Sequence, residues 1–120
     1  MELISLLSSG KGTWGQVAGL VNNQKWDKII FITDPFFKPK LAEFDFSRGA
    51  EIIAVDFNAG IKEVIAELKE KLNGRIQGVE VALSIASGSG KEHMALISAL
   101  LQLPVGIKFV ALTKEGIIEF

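Results

Sequence analysis

Short apolar runs rich in β-branched residues alternate along this chain with segments of helical period, and that alternation constrains the fold more than any other feature. Leu3-Ile4-Ser5-Leu6-Leu7, Lys28-Ile29-Ile30-Phe31-Ile32-Thr33, Glu51-Ile52-Ile53-Ala54-Val55-Asp56 and the run from Val79 to Ile85 each read as a buried strand. Between the first two, Trp14 to Asn23 puts Val17, Leu20 and Val21 on one helical face. Ile61 to Leu72 is the clearest helix, with Ile61, Val64, Ile65, Leu68 and Leu72 at i, i+3, i+4, i+7 and i+11. Glu67 and Lys71 are spaced for an ion pair on its outer face, and Asn73-Gly74 stops it. Glu92 to Leu103 predicts a third helix, apolar on nearly every side and therefore covered on more than one, with Pro104 ending it. Ile107 to Leu112 and Ile117 to Phe120 flank Lys114-Glu115-Gly116 and predict a hairpin. A parallel strand pair needs a crossover, and a helix is the usual one. The expected class is therefore α/β: one domain over 1–120, a three-layer sandwich with a mainly parallel sheet and a C-terminal β-hairpin.

The stretch from 35 to 48 breaks the alternation. Asp34-Pro35 stops the second strand, because the residue before proline is held extended. Phe36, Phe37, Phe44 and Phe46 then follow, with Lys38, Lys40 and Arg48 among them, predicting a loop with a short helix around Leu41 to Phe44. The aromatics either fold over the sheet edge or form a lid or dimer surface whose basic residues face a polyanion.

Composition removes several function classes. At 120 residues and 48% apolar against 22% charged, the chain can fill a core, so disorder is excluded. The lack of cysteine excludes a disulfide framework, a thiolate zinc site and a cysteine nucleophile. His93 is the sole histidine, so no metal site is expected and a Ser-His-Asp triad has a single candidate base. No cofactor is expected either. A net charge of −1 argues against a long nucleic-acid track but leaves room for a local patch. Met1-Glu2-Leu3-Ile4 lacks a basic n-region, and no apolar run reaches about 18 residues, so a cytoplasmic protein without a membrane contact is expected. Phe120 ends the chain within an extended run, which fits either a minimal protein or a sensor module of a longer one.

In open α/β sheets, ligands bind beyond the carboxyl ends of the strands, where the strand order reverses. Two glycine-rich loops follow strands here and open helices: Gly10-Lys11-Gly12-Thr13 and Gly88-Ser89-Gly90-Lys91. Each joins flexible backbone N–H groups, a helix N-terminus, hydroxyls and a lysine, a combination that binds phosphate. The plainer reading is that the glycines only turn the chain and the lysines are solvated. Neither loop is a P-loop, since Ile85 stands where the first glycine belongs and Glu92 where Ser or Thr belongs. Gly10, Gly12 and Gly15 do match Gly-x-Gly-x-x-Gly, and Asp34 follows Gly15 by 19 residues, near the spacing of a ribose contact. Against this, Lys11 and Trp14 crowd the turn, and Ser8-Ser9 delays the first glycine. Asp34 is either that ribose carboxylate or a turn residue capping its own backbone. Asp56, near Asn58 and Gly60, reads as part of a helix cap.

The segment Ile85-Ala86-Ser87-Gly88-Ser89-Gly90-Lys91-Glu92-His93-Met94, followed by the apolar helix and the strand Ile107 to Leu112, resembles the CARF family (CRISPR-associated Rossmann fold). The resemblance extends to the order of elements: a Ser/Gly/Thr loop after the first strand, an Asp/Thr-ended second strand and a closing hairpin. It departs where glycine-glycine is Gly88-Ser89-Gly90, and where Lys91 to Met94 is one residue longer. It implies a Rossmann-like homodimer binding a small cyclic oligoadenylate across its two-fold axis. It places Ser8, Ser9, Gly10, Thr13, Gly88, Ser89, Gly90 and Lys91 at the ligand, with Lys11 and Gly12 candidates from the glycine-rich loop itself. Some members of the family cleave the ring by attack of a ribose 2′-hydroxyl on the neighbouring phosphate, which needs positioning and charge stabilisation but no metal. Lys91 would then stabilise the developing charge, Lys11 assist, and Ser8 or Ser9 orient the hydroxyl. His93, two residues beyond Lys91, either faces that site as a general acid or points toward solvent or a dimer partner. The other readings are a dinucleotide-binding regulatory module using Gly10, Gly12, Gly15 and Asp34, and an assembly domain whose loops bind nothing.

Overall fold

The strand-like runs close into one sheet. In a computed structural model, which describes residues 1–8 and 14–120, β1 (Glu2–Leu6), β2 (Lys28–Thr33), β3 (Glu51–Ala54), β4 (Glu80–Ser84), β5 (Gly106–Thr113) and β6 (Gly116–Glu119) lie in the order β3-β2-β1-β4-β5-β6. β1 to β5 run parallel, and β6 returns antiparallel on β5 as the hairpin. The chain steps outward from β1 to β3, then crosses back to β4, so the order reverses between β1 and β4. This is a Rossmann-like three-layer sandwich.

Side chains alternate between the sheet's two faces, and each face has its own cover. Ile4, Leu6, Ile30, Ile32, Val81 and Leu83 face α3 (Ile61–Leu72) and α4 (Gly90–Gln102). Leu3, Leu7, Phe31 and Ala82 face α1 (Trp14–Asn23) and α2 (Lys38–Leu41). Every residue of β1 is buried because both of its faces are covered. α3 buries Val64, Leu68 and Leu72, each contributing about 1.5–3 kcal/mol of transfer free energy, while Glu67 and Lys71 pair at 2.8 Å outside. At Gly19 a Cβ would collide with Leu112 Cδ2, so the missing side chain is what lets α1 lie close to β5. Gln16 completes that contact: its amide donates to Leu112 O at 3.1 Å and accepts from Leu112 N.

Two expectations are corrected. The short helix lies at Lys38–Leu41 rather than Leu41 to Phe44, followed by a 3-10 turn at Asp45–Ser47. Pro39 sits in its first turn, where a missing N–H costs no hydrogen bond, and Phe44 is already extended with ψ 140°. α4 starts at Gly90, ahead of Glu92, because Ser89 and Glu92 form a reciprocal capping box. Among the described residues α4 buries Ala95, Leu96, Ala99 and Leu100 and exposes Met94 and Leu101, which leaves open the half-core, half-dimer-interface alternative for this helix. The aromatic segment packs onto the α1 face, with Trp14 edge-on to Phe37 and Phe44 and Phe31 edge-on to Phe46. Phe36 and Phe44 remain exposed.

Charged residues gather at the amino ends of the strands. Glu2 is buried and accepts from the backbone N–H of Gln77 at 3.0 Å and of Gly78 at 2.7 Å. The Met1 amine pairs with Asp27, and Glu51 pairs with Lys28 at 3.3 Å and Arg75 at 3.1 Å. Burial pushes the Glu51 carboxyl up, but hydrogen bonds and charge from Arg75 and Lys28 outweigh it and hold the group below its ordinary range. A depressed folded pKa stabilises the native state above the unfolded carboxylate's pKa, and that stability is lost as pH falls through the folded value. Glu51→Gln should therefore destabilise at pH 7, by less than about 1 kcal/mol for so open a pair. Its urea midpoint should converge on the parent's as pH falls through the carboxylate range. A gap that widens toward acid would refute the assignment.

No helix among the described residues is long and apolar enough to cross a membrane.

Candidate functional site

In open α/β sheets the place for a ligand is beyond the carboxyl ends of the strands where the order reverses, which here is between β1 and β4. Small polar residues gather at that point. Ser5 and Ser84 lie opposite each other in the last paired rung. Beyond it, the Leu7 N–H continues the ladder to Ile32 O at 2.9 Å. The Ser8 N–H then turns to donate to Ser87 Oγ at 3.1 Å, and the Trp14 indole N–H donates to Ser8 O at 2.8 Å. Ser87, itself buried, thus ties the loop after β1 to the loop after β4.

The β4–α4 loop is fixed by several local bonds. Gly88 has φ +108°, a conformation that side chains rarely adopt, and a Cβ there would press on His93 Nε2 at 3.0 Å. Ser89 caps α4: its Oγ accepts from Glu92 N at 3.3 Å while its own N–H donates to Glu92 Oε1 at 2.6 Å. Gly90 opens the helix and is exposed, leaving room for close approach to the backbone. The N–H groups of the first turn have no intrahelical acceptor and carry the positive end of the helix dipole. Glu92 offsets part of that charge, so an anion here meets Gly90 and Lys91 more readily than Ser89.

Two buried hydroxyls lie at the carboxyl ends of strands beside the switch point. Thr33 ends β2 and Ser84 ends β4, both are essentially inaccessible, and neither Thr33 Oγ1 nor Ser84 Oγ has a hydrogen-bond partner among the described residues. Their neighbours Ile32 and Leu83 face α3 and α4, so by alternation both hydroxyls lie on the α1 side. A hydroxyl buried without a partner costs roughly 1–3 kcal/mol, a cost that a bound water or ligand atom would relieve.

The remaining candidates have defined partners. Lys91 Nζ donates to the carbonyls of Phe57 at 3.0 Å and Ala59 at 2.6 Å, joining the start of α4 to the β3–α3 loop. His93 Nε2 lies 2.9 Å from Ser87 O; a carbonyl only accepts, so this nitrogen carries a hydrogen and the ring braces the loop. Asp34 Oδ1 accepts from the N–H groups of Phe36 at 2.8 Å and Phe37 at 3.1 Å, the geometry of a turn cap. Asp56 does the same for Asn58 at 3.0 Å, while Gly60 stands at the N-cap of α3. Ser9, Gly10, Lys11, Gly12 and Thr13 lie outside the described residues. Ser8, Ser87, Gly88, Ser89 and Gly90 are thus brought together at the switch point, whereas Lys91 and Asp34 are engaged at its margins.

Sequence reasoning missed Ser87 as the link between the loops, and Thr33 and Ser84 as orphaned hydroxyls. Their signal was present: each of the latter is the one polar residue at the carboxyl end of an otherwise apolar run. The carbonyls that hold Lys91 left no such trace. A concavity of about 600 Å³ lies at the opposite, amino end of the sheet, beside Glu2, Lys28, Glu51 and Glu80. Glu2 is held there by backbone N–H groups, and Lys28 and Glu51 pair with each other. The arrangement at the carboxyl end can therefore bind an anion or a hydroxyl-rich ligand through backbone N–H groups, a helix start and hydroxyls. No protein-family model matches this chain, and no curated protein sequence matches it.

Proposed function

We propose that this chain binds a small phosphate-bearing nucleotide in the crevice between the β1–α1 and β4–α4 loops. The resemblance to the CARF family narrows the ligand to a cyclic oligoadenylate held by a homodimer. The observation that carries the reading is the pair of loops joined by Ser8 and Ser87 at the switch point, next to the start of α4 and the buried Thr33 and Ser84 hydroxyls, which lack a hydrogen-bond partner among the described residues. Backbone N–H groups at Gly90 and Lys91 suit phosphate oxygens, and the hydroxyls suit a ribose.

If the ring is cleaved, the 2′-hydroxyl gives up its proton to water and its oxygen forms a bond to the adjacent phosphorus, as the bond to the 5′-oxygen breaks; a 2′,3′-cyclic phosphate results, and the 5′-oxygen takes up a proton from water. The chain's part is to align these atoms and stabilise the charge on the phosphate oxygens. Lys91 serves that role only by exchanging the carbonyls of Phe57 and Ala59 for phosphate. Ser8 and Ser9 are the proposed orienting residues, and Lys11 the second cation.

Thermal-shift measurements with cyclic tetra-adenylate, cyclic hexa-adenylate, NAD and ATP test the reading. Stabilisation by a cyclic oligoadenylate is expected. A shift with NAD alone would replace it with a dinucleotide module, and no shift with any of the four would leave an assembly domain. Incubation of the stabilising ring without metal, followed by chromatography, separates binding from cleavage.

A further inference from the structure

The exposed edge of β6 carries a self-complementary pattern, and we infer that two copies of this chain pair there, β6 against β6, extending one sheet into the other. This pairing is independent of the nucleotide reading.

The hydrogen-bond phase of the hairpin decides which backbone groups are free. Ile118 lies opposite Ala111, and the Phe120 N–H donates to Phe109 O at 2.9 Å. The even-numbered residues of β6 therefore direct their backbone groups inward to β5. In an antiparallel ladder the alternate residues point the other way, so the N–H and C=O of Ile117 and Glu119 face the open edge. An uncovered strand of this kind is a template for another strand unless charge, proline or a bulge guards it. β6 has no proline and, among the described residues, no covering element, and its one charge, Glu119, is held by Lys108 at 3.4 Å.

A two-fold axis perpendicular to the sheet keeps each residue on its own face, so one residue must sit opposite its own copy. Centring on Glu119 sets two carboxylates face to face. Centring on Ile117 sets Glu115 against Glu119 twice. Centring on Ile118 avoids both, and it pairs Ile117 with Glu119 of the second copy, twice by symmetry. Those are the residues whose backbone groups are free, so this register closes hydrogen-bonded pairs on both sides of the axis.

The side chains agree with that register. Ile118 is 40% exposed and Phe120 73% exposed, and both lie on the α4 side, where Phe120 stacks on Phe109. Pairing about Ile118 places the two isoleucines against each other as a close, non-hydrogen-bonded pair. It also sets Phe120 opposite Gly116 of the second copy. Gly116 has no atom within 4 Å of where its Cβ would stand, which leaves space for the ring. Apolar surface meets apolar surface, and the bulky residue meets the one without a side chain. The strands of the second copy then run in the opposite direction, so the two candidate nucleotide sites face opposite ends of the joined sheet. A ring shared across a two-fold axis would use a different contact.

The absence of cysteine provides the test. At a non-hydrogen-bonded antiparallel pair the Cα atoms approach to about 4.5 Å, within the range a disulfide spans. Ile118→Cys should oxidise to a covalent dimer at low micromolar concentration, while Phe120→Cys, opposite glycine, should remain uncrosslinked. In light scattering without nucleotide, Ile118→Lys, checked for native circular dichroism, should have half the mass of the unmodified chain. A monomeric parent at 100-fold higher concentration would overturn the proposal. So would equal crosslinking at Ile118→Cys and Phe120→Cys. These outcomes are read without nucleotide, so failure here leaves the ligand reading untouched, and failure of that reading leaves this one standing.

Discussion

Phe31→Ala is expected to lower the unfolding free energy by about 3–5 kcal/mol, the loss that follows when a fully enclosed ring is removed from a core. Phe31 is fully buried in β2, flanked in register by Ser5 on β1 and Ile52 on β3. Its ring meets the edge of Phe46 at 5.7 Å and shares a cluster with Leu7, Trp14, Val17 and Leu41. The sheet fixes the backbone beneath it, so the surroundings cannot collapse into the space left behind, and the cavity cost adds to the lost transfer energy. Phe36 is the control. It lies a few residues away and is 70% exposed, with Lys40 Nζ 5.0 Å from its centroid. An exposed cation–π contact is worth about 0.5–1 kcal/mol, so Phe36→Ala should cost no more than that. Urea unfolding of both variants checks the pair. Equal losses would mean that the aromatic segment does not close over β2.

That contrast also explains what was legible in the sequence. Ile61 to Leu72 and the four apolar runs announced themselves because burial on a defined face imposes a period, and the period survives in the residue order. Residues 35 to 48 have no period. Their positions are set by edge-on contacts of Phe37, Phe44 and Phe46 with Trp14 and Phe31, which are distant in the chain. The helix expected at Leu41 to Phe44 lies closer to Lys38 for that reason and because Pro39 favours a first turn.

The candidate site divides in the same way. The switch point beside which it is proposed followed from strand alternation, since the crossover from β3 to β4 fixes where the order reverses. Side-chain directions did not follow. His93 bends back to Ser87 because Gly88, with its positive φ and lacking a Cβ, leaves space for the ring. Lys91 reaches across to the β3–α3 loop because the Ser89 cap sets the phase of α4 and so decides which way its first turn faces. A loop's glycine content marks where a backbone can approach a ligand. The partner that a nearby lysine chooses depends on carbonyls that the motif does not contain.

The choice made by Lys91 sets the second large expectation. On the proposed reading, Lys91→Ala should weaken binding of a cyclic oligoadenylate about 10- to 100-fold, equivalent to about 1.5–3 kcal/mol for a hydrogen bond to a charged group. Lys114→Ala, in the hairpin turn, should change it less than about 2-fold, since screening removes most of the effect of a distant exposed charge. In the free protein the Lys91 ammonium is shared by the carbonyls of Phe57 and Ala59, so its transfer to phosphate costs those two bonds and gains an ion pair. The net gain is smaller than for a lysine already aimed at the ligand, which keeps the expected effect within two decades. The same exchange predicts that Lys91→Ala loosens the β3–α3 loop, seen as faster amide exchange near Ala59, before any ligand is added. Titration calorimetry at two salt concentrations reads the binding side, and the variant should show the weaker salt dependence. If Lys91→Ala and Lys114→Ala weaken binding equally, the phosphate does not lie at the start of α4. If amide exchange rises while affinity holds, Lys91 is a brace between loops and the charge on the ligand is met elsewhere.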